Sequence, residues 1–390
     1  MFDISENTKA IANSKIRRMF NKALEFDDPI SFTIGEPDFT ASDNIVEAAC
    51  KALREGKSKY SENIGIFPLR DAISKYLDKE IGVKYDPSSE IVIVPGAMGG
   101  LYQSLKVLLN PGDEVIINEP CWTNYIQQVE MCYAVPVSVS TKLDEGFCLD
   151  IEAIEAAITD KTKIIMINTP CNPTGAVLGR EELEKLADIA KKYDLLIISD
   201  EVYKHIIFDD NEFVSIASIE GMKERTLVID SCSKTFAMTG FRAGYVAGPA
   251  FIVKEIVKLQ ENISACVAMP SQYAALEAYT GAESKDHLKM MVDSYKARRD
   301  YVYERVSKMP LIKYEKSQGT FYAFISVKET GMTSEEFAMK LLDDKHVVLV
   351  PGDAFGGYGE GFIRISFAAS MESLEKGLDA LEDFLRKVAE

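Results

Sequence analysis

The sequence has no apolar run approaching the roughly 18 residues that span a bilayer. Its start, "MFDISENTKAIANSKIRRMF", lacks the charged, apolar and small-residue succession of a signal peptide. A cytosolic chain is the expectation. Seven cysteines are scattered and odd in number, with no C-x-x-C pair, so neither a disulfide framework nor a zinc ribbon is indicated. They read as reduced packing residues, and no metal site is expected. Positive charge is scarce: 44 Lys and Arg against 61 Asp and Glu give a formal net charge of −17. That balance argues against sequence-independent binding of nucleic acid or anionic membrane, both of which need a basic surface. Low-complexity tracts, heptads and internal repeats are also missing.

What is present is ordinary for a globular chain long enough to bury one large core and a smaller one: 390 residues, 47% hydrophobic and 27% charged. Two domains are expected. From about residue 90 to 250, short apolar runs alternate with amphipathic stretches: "EIVIVPG", "DEVIINEP", "KIIMINTP", "DLLIISDE", "TLVIDSCSK" and "AGYVAGP". Near-continuous Ile/Val/Leu runs of this length suit strands buried on both faces of a mostly parallel sheet covered by helices. In "GREELEKLADIAKKYD", Leu183, Leu186, Ala187 and Ala190 recur at helical spacing, Glu181 and Glu182 open the helix, and Lys191 and Lys192 close it. After about residue 285 a long charged helix, alternating runs such as "GFIRISFA" and an amphipathic C-terminal helix describe a smaller α+β domain. In its "FIRIS", Ile363 and Ile365 share one face and Phe362, Arg364 and Ser366 the other, so one face is expected packed and one polar, bordering a cleft. The first residues read as an arm or isolated helix.

In open α/β sheets, ligands bind at the carboxyl ends of the strands, so the residues after each apolar run are the candidates. Gly96, Gly99 and Gly100 open a helical stretch where the Ala97 and Met98 amides could cradle a phosphate, although such turns more often only reverse the chain. Asp200 ends "LLIISD", a costly place for a carboxylate without a partner; it suits an ion pair or a protonated ring nitrogen, with Tyr203 nearby. Trp122, the only tryptophan, can stack on an aromatic ligand or fill core. Asn172 precedes a proline and projects from a turn. Lys234 is the sharpest case: a lysine leaving water behind a strand either pairs or becomes an amine nucleophile. Ser231 and Arg242 flank it with groups suited to phosphate.

Taken in order, "IGEPDF", "KYSENIGIFPLRDAI", "PGAMGGLYQSL", "EPCWTNY", "NTPCNPTG", "SDEVY", "SCSKTFAMTGFRAGY" and "GEGFIRISFA" resemble the class I/II aminotransferases of fold type I, which use pyridoxal 5′-phosphate (PLP). The resemblance spans nearly the whole chain. It implies a large PLP-binding domain at 46–285, a C-terminal small domain at 286–390, and an N-terminal arm with part of the small domain at 1–45. It implies that Lys234 holds the cofactor covalently and then shuttles a proton at the substrate α-carbon. Asp200 would keep the ring nitrogen protonated, Asn172 and Tyr203 would hold the ring's phenolate oxygen, and Trp122 would stack on the ring. The phosphate would be held by Ala97 and Met98 amides, Ser231, Arg242 and Tyr60 from a second subunit, so a homodimer is implied. Arg364 would bind the substrate carboxylate, with Trp122, Asn172 and the Gly35 backbone beside it.

The implied reaction is ping-pong transfer of an amino group from an L-amino acid (aromatic, neutral or aspartate-like) to a 2-oxo acid, 2-oxoglutarate by resemblance. Met98 departs from one branch acting on aspartate, where a lysine reads the distal carboxylate. The sequence therefore leans to a neutral, aromatic or sulfur-containing donor. Three other readings compete. A carbon–sulfur β-lyase or cyclopropane-forming synthase of the same fold shares Lys234, Asp200 and Tyr203. A PLP-sensing regulator needs a DNA-binding domain for which the stretch before residue 30 is too short. A catalytically dead scaffold conflicts with the competent residues at every mapped position.

Overall fold

The protein is described by a computed structural model covering residues 2–5, 8, 9, 11, 15–33 and 35–390, the side chain of Ile16 excepted. Its strands, among the described residues, are β1 (Ile30–Ser31), β2 (Ile91–Pro95), β3 (Glu114–Glu119), β4 (Val135–Ser140), β5 (Thr162–Asn168), β6 (Leu196–Asp200), β7 (Thr226–Ser231), β8 (Ala243–Ala247), β9 (Tyr322–Ser326), β10 (Val347–Val348), β11 (Val350–Pro351) and β12 (Phe362–Ser366).

Strands β2 to β8 form one seven-stranded sheet in the order β2-β8-β7-β6-β5-β3-β4. Its pairs from β7 to β4 are parallel, and β8 runs antiparallel to both β2 and β7. The apolar runs fall on six of these strands, and every residue of β7 and β8 is buried. Full burial of each Val, Leu or Ile contributes about 1.5–3 kcal/mol, which favours continuous apolar strands wherever helices cover both faces. The helix Arg180–Lys192 buries Leu183, Leu186, Ala187, Ile189 and Ala190 against this sheet's neighbours Ile165, Ile167 and Ile197. Strand β4 was not among the apolar runs. "VPVSVS" lies at the sheet edge with Val135 and Ser138 exposed, where half-polar sequence and a proline are tolerated.

The C-terminal part carries an antiparallel sheet, β11-β12-β9. The expected polar face of β12 is corrected by the structure: all five of its residues are buried. Ile363 and Ile365 join a large apolar cluster with Val302, Phe337 and Leu378. On the other face Phe362 stacks on Phe324 with ring centroids 4.7 Å apart, and Phe355 packs edge-on to Phe324. Arg364 is thus enclosed rather than displayed. The N-terminal segment is not isolated either. Helix Lys15–Ala23 buries Met19 and Ala23 in the same large cluster, and β1 pairs in parallel with β10. Asp38 is held by Arg298 at 2.8 Å, on the helix Ala282–Val306.

Candidate active site

Because β3, β5, β6 and β7 are parallel, their last residues, Glu119, Asn168, Asp200 and Ser231, end at one edge of the sheet. Asp200 is 2% exposed. Its Oδ2 accepts a hydrogen bond from the Tyr125 phenol at 2.7 Å, and Oδ1 accepts the Val202 N–H at 3.3 Å. Burial pushes its carboxyl up to about 6, with those two hydrogen bonds opposing. Lys234 lies one helical turn past β7, in the helix Cys232–Thr235. Its Nζ donates to the Gly35 carbonyl at 2.5 Å and sits 6.0 Å from the Tyr203 ring centre. Burial lowers its ammonium to about 8, against the raising effect of Glu36. A half-buried lysine amine and a buried carboxylate therefore share a region of the strand ends.

Beside Lys234 gather groups whose chemistry suits an anion. Ser231 caps the helix Cys232–Thr235, its Oγ accepting the Ser233 N–H at 3.3 Å. Arg242 adopts a left-handed φ of 51° and donates to the Thr239 carbonyl at 2.9 Å. Gly96, with φ of 70°, lies so close that a Cβ there would come within 2.5 Å of Arg242 Nη2. A Cβ at Gly244 would meet the Ala97 nitrogen at 2.9 Å, so β8 and the start of helix Gly96–Leu108 depend on glycine for their approach. Ala97 is half-buried and Met98 is 38% exposed, its carbonyl held by Gln128 Nε2 at 3.2 Å. From below, Asp230 fixes Ser231: its Oδ1 accepts the Ser231 N–H at 2.6 Å, while Oδ2 takes Lys204 Nζ and the Tyr245 phenol, each at 2.9 Å.

Arg364 enters from β12. Its Nη1 donates to Asn172 Oδ1 at 3.0 Å and its Nη2 to the Thr33 carbonyl at 2.8 Å. The guanidinium lies 4.2 Å from the Tyr322 ring centre and 4.9 Å from that of Phe355. Its Nε is buried with no hydrogen-bond partner among the described residues. Tyr322 shares a 2.9 Å hydrogen bond with the Tyr203 phenol, and a Cβ on Gly35 would meet the Tyr322 hydroxyl at 2.8 Å. Burial raises the Tyr203 phenol well above its ordinary value, keeping it neutral. Asn172 is oriented from behind, its N–H donating to Asn168 Oδ1 at 2.9 Å.

Through these contacts, and through Asn168 Nδ2, which donates to the Asp200 carbonyl at 2.9 Å, the structure brings Lys234, Asp200, Tyr203, Asn172, Arg364 and Gly35 together, and Ser231 and Arg242 adjoin them. Trp122 is linked to Asp200 through Tyr125, whose ring it meets edge-on at 5.5 Å. Tyr60 is not joined to the others: it stands 86% exposed. Four participants escaped sequence reasoning, namely Tyr125, Asn168, Tyr322 and Phe355. Tyr125 follows Trp122 by three residues, one helical turn, and Asn168 is the last residue of its apolar run; those were the available signals. Tyr322 and Phe355 carry none, since both matter through tertiary neighbours.

A family model described as aminotransferase class I and II matches residues 27–381. An aspartate aminotransferase of Pyrococcus abyssi is 41% identical over 98% of each chain. Aromatic-amino-acid aminotransferase 2 of Thermococcus litoralis is 39% identical over 98% of each. Among solved structures, the Thermus thermophilus aspartate aminotransferase with maleate superposes with a TM-score of 0.94 at 34% identity, covering 99% of this chain and all of that one. These relatives lend nothing to the lyase reading. The chain belongs to the class I and II aminotransferase family and is a transaminase.

Proposed function

We propose that this transaminase works with PLP held at Lys234, moving an amino group from an L-amino acid to a 2-oxo acid, 2-oxoglutarate in the first instance, by a ping-pong cycle. The observation that carries the reading is the placement of a buried, raised carboxylate, Asp200, and a half-buried, lowered lysine, Lys234, in one chain of contacts that runs through Asn168, Asn172, Arg364, Tyr322 and Tyr203.

The donor set fits that cofactor. Asp200 suits a protonated ring nitrogen, which would offset the cost of its burial. The donors of Ser231, Arg242 and the Ala97 and Met98 amides suit a phosphate, and Gly96 lets the Arg242 guanidinium approach this turn, since a Cβ there would come within 2.5 Å of it. Asn172 and Tyr203 would hold the ring's phenolate oxygen, and Trp122 would cover the ring. Tyr60, exposed on its own protomer, would complete the phosphate site of a second copy, so we assign a homodimer. When bound, PLP supplies the aldehyde that takes up the amino group and the ring that draws electrons from the substrate α-carbon.

The chain's own residues do the rest. Arg364 receives the substrate α-carboxylate as a rigid fork, its plane set by Tyr322 and Phe355. Asn172, already bonded to Arg364, and the Gly35 backbone flank that carboxylate. Lys234, whose ammonium burial lowers to about 8, loses its proton more readily than an exposed lysine and would carry the substrate α-proton across to the former aldehyde carbon. Gly35 and Arg364 come from the arm and the 286–390 unit, while Asp200 and Lys234 belong to 46–285. Substrate binding would draw these units together and exclude water.

The relatives act, by name, on aspartate and on aromatic amino acids. With methionine rather than lysine at position 98, aromatic, neutral or sulfur-containing donors should lead and aspartate follow. The test is product analysis with a panel of donors. Equal amounts of glutamate and new oxo acid, formed only when 2-oxoglutarate is present, support the reading. Sustained release of pyruvate and ammonia without an acceptor would overturn it.

A further inference from the structure

Beside the residues that hold Asp200 lies a cavity of about 30 Å³ that none of the proposed roles uses. Lys234, Arg242 and Arg364 take no part in its wall. Its lining includes Asn118, Tyr125, Asn168, Cys171, Thr141 and Thr174. Two of these support the reaction centre. Tyr125 donates to Asp200 Oδ2, and Asn168 donates to the Asp200 carbonyl at 2.9 Å while accepting the Asn172 N–H.

Asn118, next to last in β3, is the anomaly. Both Nδ2 and Oδ1 of its amide are shut off from solvent, and neither has a hydrogen-bond partner among the described residues. Buried amides are nearly always bonded, because an unmade bond forfeits the full hydration of the group. The strand itself does not call for an amide there: Ile117 and Ile116, one and two residues earlier, fill buried places in β3 as apolar residues. A cavity of this size admits on the order of one or two waters, given 10–15 Å³ per water and two to four polar partners. The Asn118 amide and the Thr141, Thr174 and Asn168 side chains provide such partners. A surface cleft of about 520 Å³ lies on the other side of Phe147, Ala176 and Leu178, which line both.

We propose that this cavity is an ordered-water site anchored by Asn118, and that Asn118, through that water, is a positioning residue for the Tyr125–Asp200 pair. The proposal rests on the reading that Asp200 serves the cofactor ring. Water at the back of Tyr125 holds the phenol against Asp200 and supplies a polarisable medium next to a carboxylate that burial alone disfavours. Replacing it with hydrocarbon weakens the carboxylate's hold on a cationic ring nitrogen.

The first test is diffraction from the wild-type holoenzyme at a resolution that shows ordered water. Density within hydrogen-bond distance of both Asn118 amide atoms is expected; a dry cavity overturns the proposal whatever the enzyme's activity. The second is the pH titration of the bound cofactor's absorbance in N118L and in N118T, which keeps a hydroxyl. N118L should shift the midpoint by about half a pH unit or more and lower kcat several-fold with KM for the amino acid unchanged, and N118T should recover most of both. An unchanged midpoint in N118L, with water present in the wild type, ends the positioning role. D200N separates this from the underlying reading. If D200N leaves spectrum and turnover intact, Asp200 has been misassigned; if it abolishes them while N118L does nothing, only the water proposal fails.

Discussion

The Lys234 amine donates to the Gly35 carbonyl at 2.5 Å, joining the helix Cys232–Thr235 to the segment that follows β1. The amine therefore meets the N-terminal segment at the carbonyl that would flank the substrate carboxylate. Burial also lowers its ammonium to about 8. Since the neutral amine is the nucleophile, the rate at which the cofactor-free protein captures pyridoxal phosphate should rise with pH and level off just above 8. A rise that continues toward pH 10 would mean that Lys234 titrates like an exposed lysine.

Asp200 gives a stability prediction in which stability falls as pH rises. Its carboxyl is raised from an ordinary 3.8 to about 6, so the folded cofactor-free state holds its proton more tightly than the unfolded chain does. This group's contribution is neutral below about pH 4, turns unfavourable as pH rises to 6, and is then constant. The variant D200N should accordingly stabilise the cofactor-free protein at pH 8 by up to about 3 kcal/mol, and hardly at all at pH 4. The same substitution should weaken cofactor binding and nearly abolish turnover. Thermal unfolding of both proteins at the two pH values checks the first part, and Y125F, which removes a donor to the carboxylate, should shift the titration further upward.

Arg364 uses one fork arm on Asn172 and the other on the Thr33 carbonyl, between two aromatic rings. A lysine cannot reproduce that planar geometry. R364K should lower kcat/KM roughly 10- to 100-fold for the amino acid and the 2-oxo acid alike, mainly through KM. Steady-state kinetics with both substrates decides; a loss confined to one of them would place the carboxylate elsewhere.

The proposed sharing of each site between two copies makes a further prediction. K234A is expected to be inactive, and Y60A impaired. In a mixed dimer, one site inherits both defects and the other is wild type at both positions. Unfolding and refolding the two variants together should restore activity approaching one working site per mixed dimer. No recovery would place Tyr60 outside the partner's site.

Much of this was legible in the sequence because the parallel strands are buried on both faces and therefore read as unbroken Ile/Val/Leu runs. Asp200, Ser231 and Lys234 could be placed at the end of such runs without a structure. Strand β4 was not legible, since an edge strand with one exposed flank has a sequence like that of a loop. The enclosure of Arg364 was not either. Alternation along β12 correctly separates Ile363 and Ile365 from Arg364, but the polar-looking face is covered by Phe355 and Tyr322, which come from separate segments of the chain. Tyr125 and Asn118 illustrate the same limit. What they do depends on the carboxylate and the cavity they face, and neither is visible from β3 or from the helix Asn124–Met131 alone.

The most direct measurement is an absorbance titration of the PLP-loaded protein with single amino acids, no acceptor present, followed by 2-oxoglutarate, with K234A run in parallel. The account predicts that aromatic or neutral donors convert the bound cofactor to its amine form, that 2-oxoglutarate reverses the change, and that K234A does neither at a measurable rate. Conversion by K234A at the wild-type rate, or return of the cofactor to its starting form without an acceptor while ammonia accumulates, would contradict it.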